Sequence, residues 1–175
     1  MKIKIKIVPV VPIGDSFPLN FYKYYYDYQK ELRIIDNDIS FPIESETGCI
    51  AHLNKCDNYV DNIIFCNNTP VGIVCYQNVD FLGDGLAPIL YIDHFYIFPD
   101  FRRKGIGTEA VKAILKPFRK HIVYLCTIDV NKPANHFWSS VLPLLGLFKT
   151  DDNRCYIDRK PGDNSNYIDY IYKHW

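Results

Sequence analysis

Residues 97–111 read Ile-Phe-Pro-Asp-Phe-Arg-Arg-Lys-Gly-Ile-Gly-Thr-Glu-Ala-Val and join a predicted strand to a predicted helix. The strand is the apolar and aromatic run from Ile89 to Phe98, which is typical of a central strand. The helix follows from Gly107 to about Arg119, with apolar residues at helical spacing, and Pro117 is expected to end it early. The segment is therefore a strand-to-helix connection with two glycines in its loop.

The composition of this loop suits a phosphate ligand. Gly105 and Gly107 allow a tight turn and a close approach of backbone N–H groups to a ligand, where a helix N-terminus favours negative charge. Arg102, Arg103 and Lys104 add positive charge beside those amides, which suits a pyrophosphate. On glycine spacing alone, an ordinary strand-to-helix turn with a solvated basic cluster fits equally well. The sequence lacks the P-loop and dinucleotide patterns, so ATP and NAD are poor candidates.

The predicted elements on both sides of the loop alternate between strands and helices. Upstream they are a strand over 2–8, a helix over 19–35, a short helix with a loop over 44–60 and a hairpin from Asn62–Cys66 and Val71–Tyr76. Downstream they are a strand over 121–130, a helix over 133–145 and a final hairpin from 154–159 and 167–172. This order predicts an α/β (α+β) fold, and we expect one domain over residues 1–175.

The composition excludes several classes of protein. Lys plus Arg and Asp plus Glu number twenty each, so no overall field draws the chain to nucleic acid or to an anionic membrane. No stretch is apolar enough to be a signal peptide or to span a bilayer, so we expect a cytoplasmic protein without membrane contact. The six cysteines lack metal-binding spacing, which predicts no metal site and reduced, mostly buried thiols.

Three segments together resemble the GNAT superfamily of acyl-CoA-dependent N-acyltransferases. Residues 102–107, Arg-Arg-Lys-Gly-Ile-Gly, match its Arg/Gln-x-x-Gly-x-Gly signature. Residues 95–101 look like its strand-to-loop sequence, and Asn131-x-x-Ala-x-x-Phe-Trp138 is similar to its Asn-x-x-Ala-x-x-Phe-Tyr pattern. The resemblance implies a mixed, splayed central sheet of about six to seven strands, flanked by helices on both faces.

The resemblance also implies where coenzyme A would bind. Backbone amides of Arg103, Lys104, Gly105, Ile106, Gly107 and Thr108 would hold its pyrophosphate. The pantetheine arm would run along Phe95, Tyr96 and Ile97, where a backbone amide would polarise the thioester carbonyl. The side chain of Asn131 would bind a carbonyl or amide of the same arm, and Trp138 would either pack against it or belong to the core.

The catalytic residues are predicted on the central strand. An amine acceptor is protonated at neutral pH and must lose a proton before it attacks a thioester. Strand alternation places Tyr91 and Asp93 on one face, at positions where family members often carry an acid or a histidine, so Asp93 is the candidate base, acting through water. Binding of a substrate ammonium or a backbone amide is the alternative role for Asp93. His94 points to the opposite face and is expected to be a packed histidine.

Two hypotheses follow from the resemblance. The first is an N-acetyltransferase that transfers an acetyl group from acetyl-CoA to a primary amine, on a small molecule or a protein, by direct attack. The second is a GNAT-fold module that binds CoA or a protein partner without turnover, because Trp138 stands where many members have the tyrosine that protonates the departing thiolate. A tRNA-directed or toxin-like acyltransferase is a third reading, which the neutral charge does not favour. Edge strands and the aromatic C-terminal segment are consistent with a homodimer.

Overall fold

A computed structural model describes residues 2–10, 21–35, 59–79, 86–156 and 167–174 of the chain. These residues form three α-helices: α1 (Phe21–Ile35), α2 (Ile106–Leu115) and α3 (Lys132–Leu144). They also form seven strands: β1 (Ile5–Pro9), β2 (Val60–Cys66), β3 (Thr69–Val79), β4 (Ile89–Ile97), β5 (Ile122–Ile128), β6 (Leu147–Lys149) and β7 (Tyr167–His174). Most of the predicted short helix and loop over 44–60 lies outside the described residues, as do residues 157–166 of the predicted final hairpin.

The seven strands form one sheet in the order β1-β2-β3-β4-β5-β7-β6. β4 and β5 pair in parallel, from Ile89 opposite Ile122 to Tyr91 opposite Tyr124. The pairs β1–β2, β2–β3, β5–β7 and β6–β7 are antiparallel. Parallel strands need a crossover connection, and α2 supplies it between β4 and β5. The predicted mixed α/β sheet of six to seven strands is confirmed.

The chain divides into two compact units, of which the first contains Met1–Tyr76 and His94–Ala113. Its helix α1 forms in a stretch without Gly or Pro, as the sequence predicts. Phe21 and Tyr25 of α1 are buried against Ile63, Ile73 and Tyr96 of the strands, so the aromatic face of α1 belongs to a hydrophobic core. The expectation of one domain over residues 1–175 stays a prediction.

The hairpin of β2 and β3 turns at two asparagines. Asn67 and Asn68 have φ of 50° and 69°, the left-handed conformation that two-residue hairpin turns require and that asparagine tolerates better than most residues. The prediction of a hairpin at this place is confirmed. Its turn is tighter than the predicted cluster of residues 67–70, because Thr69 and Pro70 already belong to β3.

The second unit contains Gln77–Asp93 and Ile114–Trp175. A network around Asn135 of α3 ties this helix to the sheet. Its Nδ2 donates to the carbonyl oxygens of Ile128 at 3.2 Å and Asp129 at 2.8 Å, and its Oδ1 accepts from the hydroxyl of Thr127. Tyr170 of β7 donates its hydroxyl to the carbonyl oxygen of Asn135 at 3.1 Å. The start of α3 is therefore fixed to the end of β5 and to β7.

The described cysteines are mostly buried, as the sequence predicts. Cys66, Cys75 and Cys155 are buried, and Cys126 is partly exposed. Burial, reinforced by the negative charge of nearby aspartates, raises the pKa of the Cys155 thiol to about 12. Cys155 is therefore a packed, protonated side chain in the cluster with Ile89 and Ile171.

The predicted strand over 154–159 is wrong for its first residues. Residues Asn153–Tyr156 form a 3-10 helix, which Asp152 starts by accepting a hydrogen bond from the Arg154 backbone N–H at 3.0 Å. The strand that pairs with β7 on its outer side is β6, only three residues long and directly after α3. Three residues are too few to show a period-two pattern, which is why the sequence does not reveal β6.

Within the described ranges, no helix is long and apolar enough to cross a membrane.

Candidate functional site

The connection from β4 to α2 contains two left-handed residues. After β4, residues Pro99–Phe101 form a 3-10 turn, and Arg103 and Gly105 then adopt φ of 60° and 75°. Turns that contain left-handed residues expose successive backbone N–H groups, which can form an anion-binding concavity. Here the loop is defined as residues 102–108.

The first turn of α2 adds further N–H groups at the same place. The first hydrogen bond of α2 runs from the Glu109 N–H to the carbonyl oxygen of Gly105, at 3.2 Å. The N–H groups of Ile106, Gly107 and Thr108 precede it and have no acceptor within the helix. The 102–108 loop therefore offers donors at a helix N-terminus, as a pyrophosphate requires.

The three basic side chains of the loop have different surroundings. Arg102 forms a bidentate ion pair with Glu31 of α1, with nitrogen-to-oxygen distances of 2.6 and 2.8 Å. Lys104 donates from Nζ to the carbonyl oxygen of Asp100 at 2.7 Å and remains exposed. Arg103 is exposed, and the described residues give it no ion pair. All three side chains are exposed, and they differ in that the charge of Arg102 is matched by Glu31.

The end of β4 is held by the same ion pair. Tyr96 is buried and donates its hydroxyl to Glu31 Oε2 at 2.8 Å, and Arg102 Nε donates to the carbonyl oxygen of Ile97 at 2.8 Å. Burial and the Glu31 carboxylate raise the pKa of Tyr96 well above its ordinary value. Phe95 is partly exposed and Ile97 is buried. The side chain of Tyr96 is therefore a packing residue, and its contribution to ligand binding would come from its backbone.

Tyr91 and Asp93, the predicted catalytic pair, contact each other. The Tyr91 hydroxyl donates to Asp93 Oδ1 at 3.1 Å, as expected for residues two apart on one face of a strand. The Tyr91 ring stacks on Tyr124 of β5, with centroids 5.1 Å apart and planes 20° apart. Tyr124 donates its hydroxyl to Asp169 of β7 at 3.3 Å. The structure thus adds a second tyrosine–aspartate pair, Tyr124 and Asp169, which no short motif reveals because it depends on the register of β5 and β7.

His94 lies in a pocket of tyrosines from α1. Its Nε2 is 2.8 Å from the Tyr25 hydroxyl and its Nδ1 is 3.4 Å from the Tyr28 hydroxyl. Both rings meet the imidazole edge to face, with centroids 5.2 and 5.4 Å away. The prediction of a packed histidine is confirmed.

Two further residues predicted to contact the pantetheine arm, Asn131 and Trp138, belong to the N-cap and the middle of α3. Asn131 is the N-cap of α3, and its Oδ1 accepts a hydrogen bond from the Ala134 N–H at 3.2 Å. Trp138 is buried and packs edge to face against Phe137, with ring centroids 5.0 Å apart. Asn131 therefore has a structural role whether or not it also binds a ligand, and Trp138 is a core residue.

The family follows from the sequence comparison. The model of the Acetyltransferase (GNAT) family matches residues 19–141, more than half of the chain, and the chain belongs to this family. No significant match was found among curated protein sequences.

Solved structures of acetyltransferases share the fold. An acetyltransferase from Thermus thermophilus superposes with a TM-score of 0.64 and 13% identity over 96% of each chain. A ribosomal-protein-alanine N-acetyltransferase from Brucella melitensis gives 0.59 and 16%, over 89% of this chain and 99% of that one. An aminoglycoside N-acetyltransferase in complex with CoA gives 0.53 and 14%, over 93% and 97%. At these identities the likeness concerns the fold.

Proposed function

We propose that the protein is an N-acetyltransferase that uses acetyl-CoA to acetylate a primary amine. The observation that carries the proposal is the 102–108 loop, in which left-handed Arg103 and Gly105 lead directly into the N-terminus of α2. This geometry fits a pyrophosphate, and the chain belongs to a family of acetyltransferases. A solved relative of the same fold is described in complex with CoA, which supports the choice of donor.

The donor would be held by backbone groups more than by side chains. The amides of residues 103–108 would bind the pyrophosphate, with the exposed Arg103 and Lys104 adding positive charge. Phe95, Tyr96 and Ile97 would present the edge of β4 to the pantetheine arm. The oxygen of Asn131 caps α3, so its NH2 group would donate to a carbonyl of that arm. Acetyl-CoA supplies an activated acetyl group as a thioester.

Asp93 would accept the proton of the ammonium group through water, and Tyr91 would orient the carboxylate. The hydrogen bond from the Tyr91 hydroxyl to Asp93 Oδ1 supports this orienting role. A positioned base typically contributes about 10²–10⁴-fold to such a reaction.

An indole cannot protonate a thiolate, so Trp138 would take no part in proton transfer. The reference pKa of a thiol, about 8.5, lets the thiolate leave without an acid. A module that binds CoA without turnover is the second candidate function, and the buried Trp138 at this position is the observation that favours it.

The acceptor would carry a cationic amine. Asp93 and Asp169, each with a tyrosine hydroxyl bonded to it, combine carboxylates with aromatic rings, the two groups that attract ammonium ions. Relatives of this fold are named for acetylation of aminoglycosides and of a ribosomal protein, so both small-molecule and protein amines remain in the proposed class.

Calorimetric titration with acetyl-CoA tests the donor, with ATP and desulfo-CoA as controls. Micromolar affinity for acetyl-CoA and much weaker affinity for ATP are expected. Thiol release is then measured with an aminoglycoside and with a peptide that has a free N-terminal alanine. Binding without thiol release for any amine would favour the CoA-binding module, and the absence of acetyl-CoA binding would rule out both functions.

A further inference from the structure

We propose that Glu31 of α1 is a positioning residue for donor binding, because it holds Arg102 and thereby fixes the 102–108 loop. The inference rests on the proposed function, since it concerns the same acetyl-CoA site. Glu31 lies 71 residues before Arg102 and belongs to none of the motif segments described above. It is not a catalytic residue, because it acts through the side chains of Arg102 and Tyr96.

The contacts of Arg102 leave its guanidinium little freedom. Nη1 and Nη2 donate to the two oxygens of Glu31, and Nε donates to the carbonyl oxygen of Ile97. The guanidinium lies over the Tyr96 ring, 5.1 Å from its centroid, and Tyr96 donates its hydroxyl to Glu31 Oε2. These contacts hold the planar guanidinium group in one position. The single ammonium group of a lysine could not make the same set of contacts.

The position of Arg102 determines where the loop begins. Its backbone N–H donates to the carbonyl oxygen of Pro99 at 3.2 Å, and the next residue, Arg103, is left-handed. A left-handed conformation is unfavourable for a residue with a side chain and persists only when its surroundings hold it. The ion pair with Glu31 is a tertiary contact of the loop at the residue immediately before this one.

The ion pair is charged throughout the neutral range. Burial raises the pKa of the Glu31 carboxyl, but the hydrogen bonds from Arg102 and Tyr96 and the charge of Arg102 outweigh burial, so the pKa is lower than usual. The hydrogen bond with Glu31 is the main cause that raises the pKa of Arg102. Glu31 therefore places a permanent negative charge beside a loop that is proposed to bind a polyanion.

Electrostatics and positioning predict opposite effects for the loss of this charge. By Coulomb's law alone, removing a carboxylate near the loop should tighten the binding of a phosphorylated donor. If Glu31 positions the loop, removing it should weaken that binding. The sign of the change in affinity separates the two explanations.

Glu31→Gln is compared with Asp27→Asn, a matched control. Asp27 lies one turn earlier in α1 and forms an exposed pair with Lys30 at 3.2 Å, so both substitutions remove one negative charge from the same helix. We expect Glu31→Gln to raise the Kd and KM for acetyl-CoA about tenfold, with kcat at saturating donor changed less than about twofold. Asp27→Asn should leave the Kd unchanged or slightly lower.

A donor without phosphates shows which part of the donor site depends on Glu31. S-acetylpantetheine lacks the pyrophosphate, so its kcat/KM should be the same for Glu31→Gln and the unsubstituted protein. Arg102→Lys keeps the charge and loses the fork, so it should weaken acetyl-CoA binding as Glu31→Gln does, and the double variant should be no weaker than either one. Arg102→Lys also tests the inference independently if Glu31→Gln does not fold.

The possible results distinguish failure of this inference from failure of the proposed function. Equal or tighter acetyl-CoA binding by Glu31→Gln overturns the inference and leaves the proposed function intact. Equal losses with acetyl-CoA and S-acetylpantetheine also overturn it, because they indicate general damage to the fold. If the unsubstituted protein binds no acetyl-CoA, the proposed function fails and this inference fails with it.

Discussion

The carbonyl oxygen of Tyr96 lies so close to Gly72 that a β-carbon on Gly72 would be 2.2 Å from it. Such a β-carbon would also stand 3.1 and 3.2 Å from atoms of Ile97. A glycine in the interior of a strand normally weakens it, but here only glycine allows the backbone at Tyr96 to approach β3. Gly72 thus sets the position of the part of β4 that is proposed to face the donor.

Gly72→Ala should therefore destabilise the protein strongly. We expect a loss of about 3 kcal/mol or more in the free energy of unfolding, because the clash is with backbone that must move. Gly146→Ala is the control, since Gly146 has φ of 80° and a β-carbon there would have open space around it. The free energy of unfolding of Gly146→Ala should fall by only about 1–2 kcal/mol, because only the left-handed backbone is strained. Urea denaturation measures both, and equal losses would contradict the account of Gly72.

Two substitutions of Gly105 that differ in charge but not in size test the proposed anion site. Asparagine and aspartate have similar size and both tolerate a left-handed backbone, so Gly105→Asn and Gly105→Asp should fold alike. The aspartate would repel a pyrophosphate, and we expect it to bind acetyl-CoA at least about tenfold more weakly than the asparagine variant. Calorimetry gives the two Kd values, and similar values would mean that no phosphate lies near residue 105.

Asp93→Asn should lower kcat while leaving the Kd for acetyl-CoA unchanged. The expected loss is about 10²-fold or more, since the amide cannot accept the proton of the acceptor. Tyr91→Phe removes the hydrogen bond to Asp93. It should lower kcat less than Asp93→Asn does, because the carboxylate remains.

Asp169→Asn is the matched control for the base. Asp169 also accepts a hydrogen bond from a tyrosine, Tyr124 at 3.3 Å, but is proposed only to attract the ammonium group. Its variant should raise the KM for the amine more than it lowers kcat. If Asp169→Asn lowered kcat and Asp93→Asn did not, Asp169 would be the base and Asp93 would be the residue that attracts the ammonium group.

Acid should destabilise the protein through two paired carboxylates. The pKa of Glu31 is lower than its ordinary 4.5, because the contacts with Arg102 and Tyr96 outweigh burial. The hydrogen bond from Arg154 is the main cause that lowers the pKa of Asp152 below its ordinary 3.8. A depressed carboxyl pKa stabilises the folded state above the ordinary value, and this stabilisation is lost as the pH falls through the depressed value.

The free energies of unfolding of Glu31→Gln and the unsubstituted protein should therefore differ most near neutral pH and converge as the pH falls below the ordinary value of 4.5 and through the depressed value. Urea denaturation at several pH values between neutral and acid measures the difference. A constant difference across this range would mean that the Glu31 carboxyl is not held by its ion pair.

Features that depend on neighbouring residues were predictable from the sequence. The paired asparagines of the β2–β3 turn, the end of α2 just before Pro117 and the left-handed Gly146 after α3 all follow from local backbone preferences. The strand–loop–helix unit at residues 89–115 was predictable for the same reason, and it contains the proposed donor loop.

Features that depend on distant residues were not predictable. The ion pair between Glu31 and Arg102 and the register that brings Tyr124 to Asp169 join residues far apart in the chain, and no periodicity encodes such pairs. The error at 154–156 has a local cause instead, because the Arg154 backbone N–H donates to Asp152 where a 3-10 helix begins. Sequence patterns revealed the elements and the loop, but not the partner that holds the loop.

The position of β7 between β5 and β6 constrains the order of assembly during synthesis. β6 pairs only with β7 among the described strands, although it is made about twenty residues earlier. When the ribosome has produced residues 147–149, their neighbour in the sheet does not yet exist. Until residues 167–174 emerge, the antiparallel edge of β5 stays uncovered, and it is open to non-native pairing with other chains. The newly made protein therefore passes through a stage in which its aggregation depends on how quickly the next twenty-five or so residues are translated.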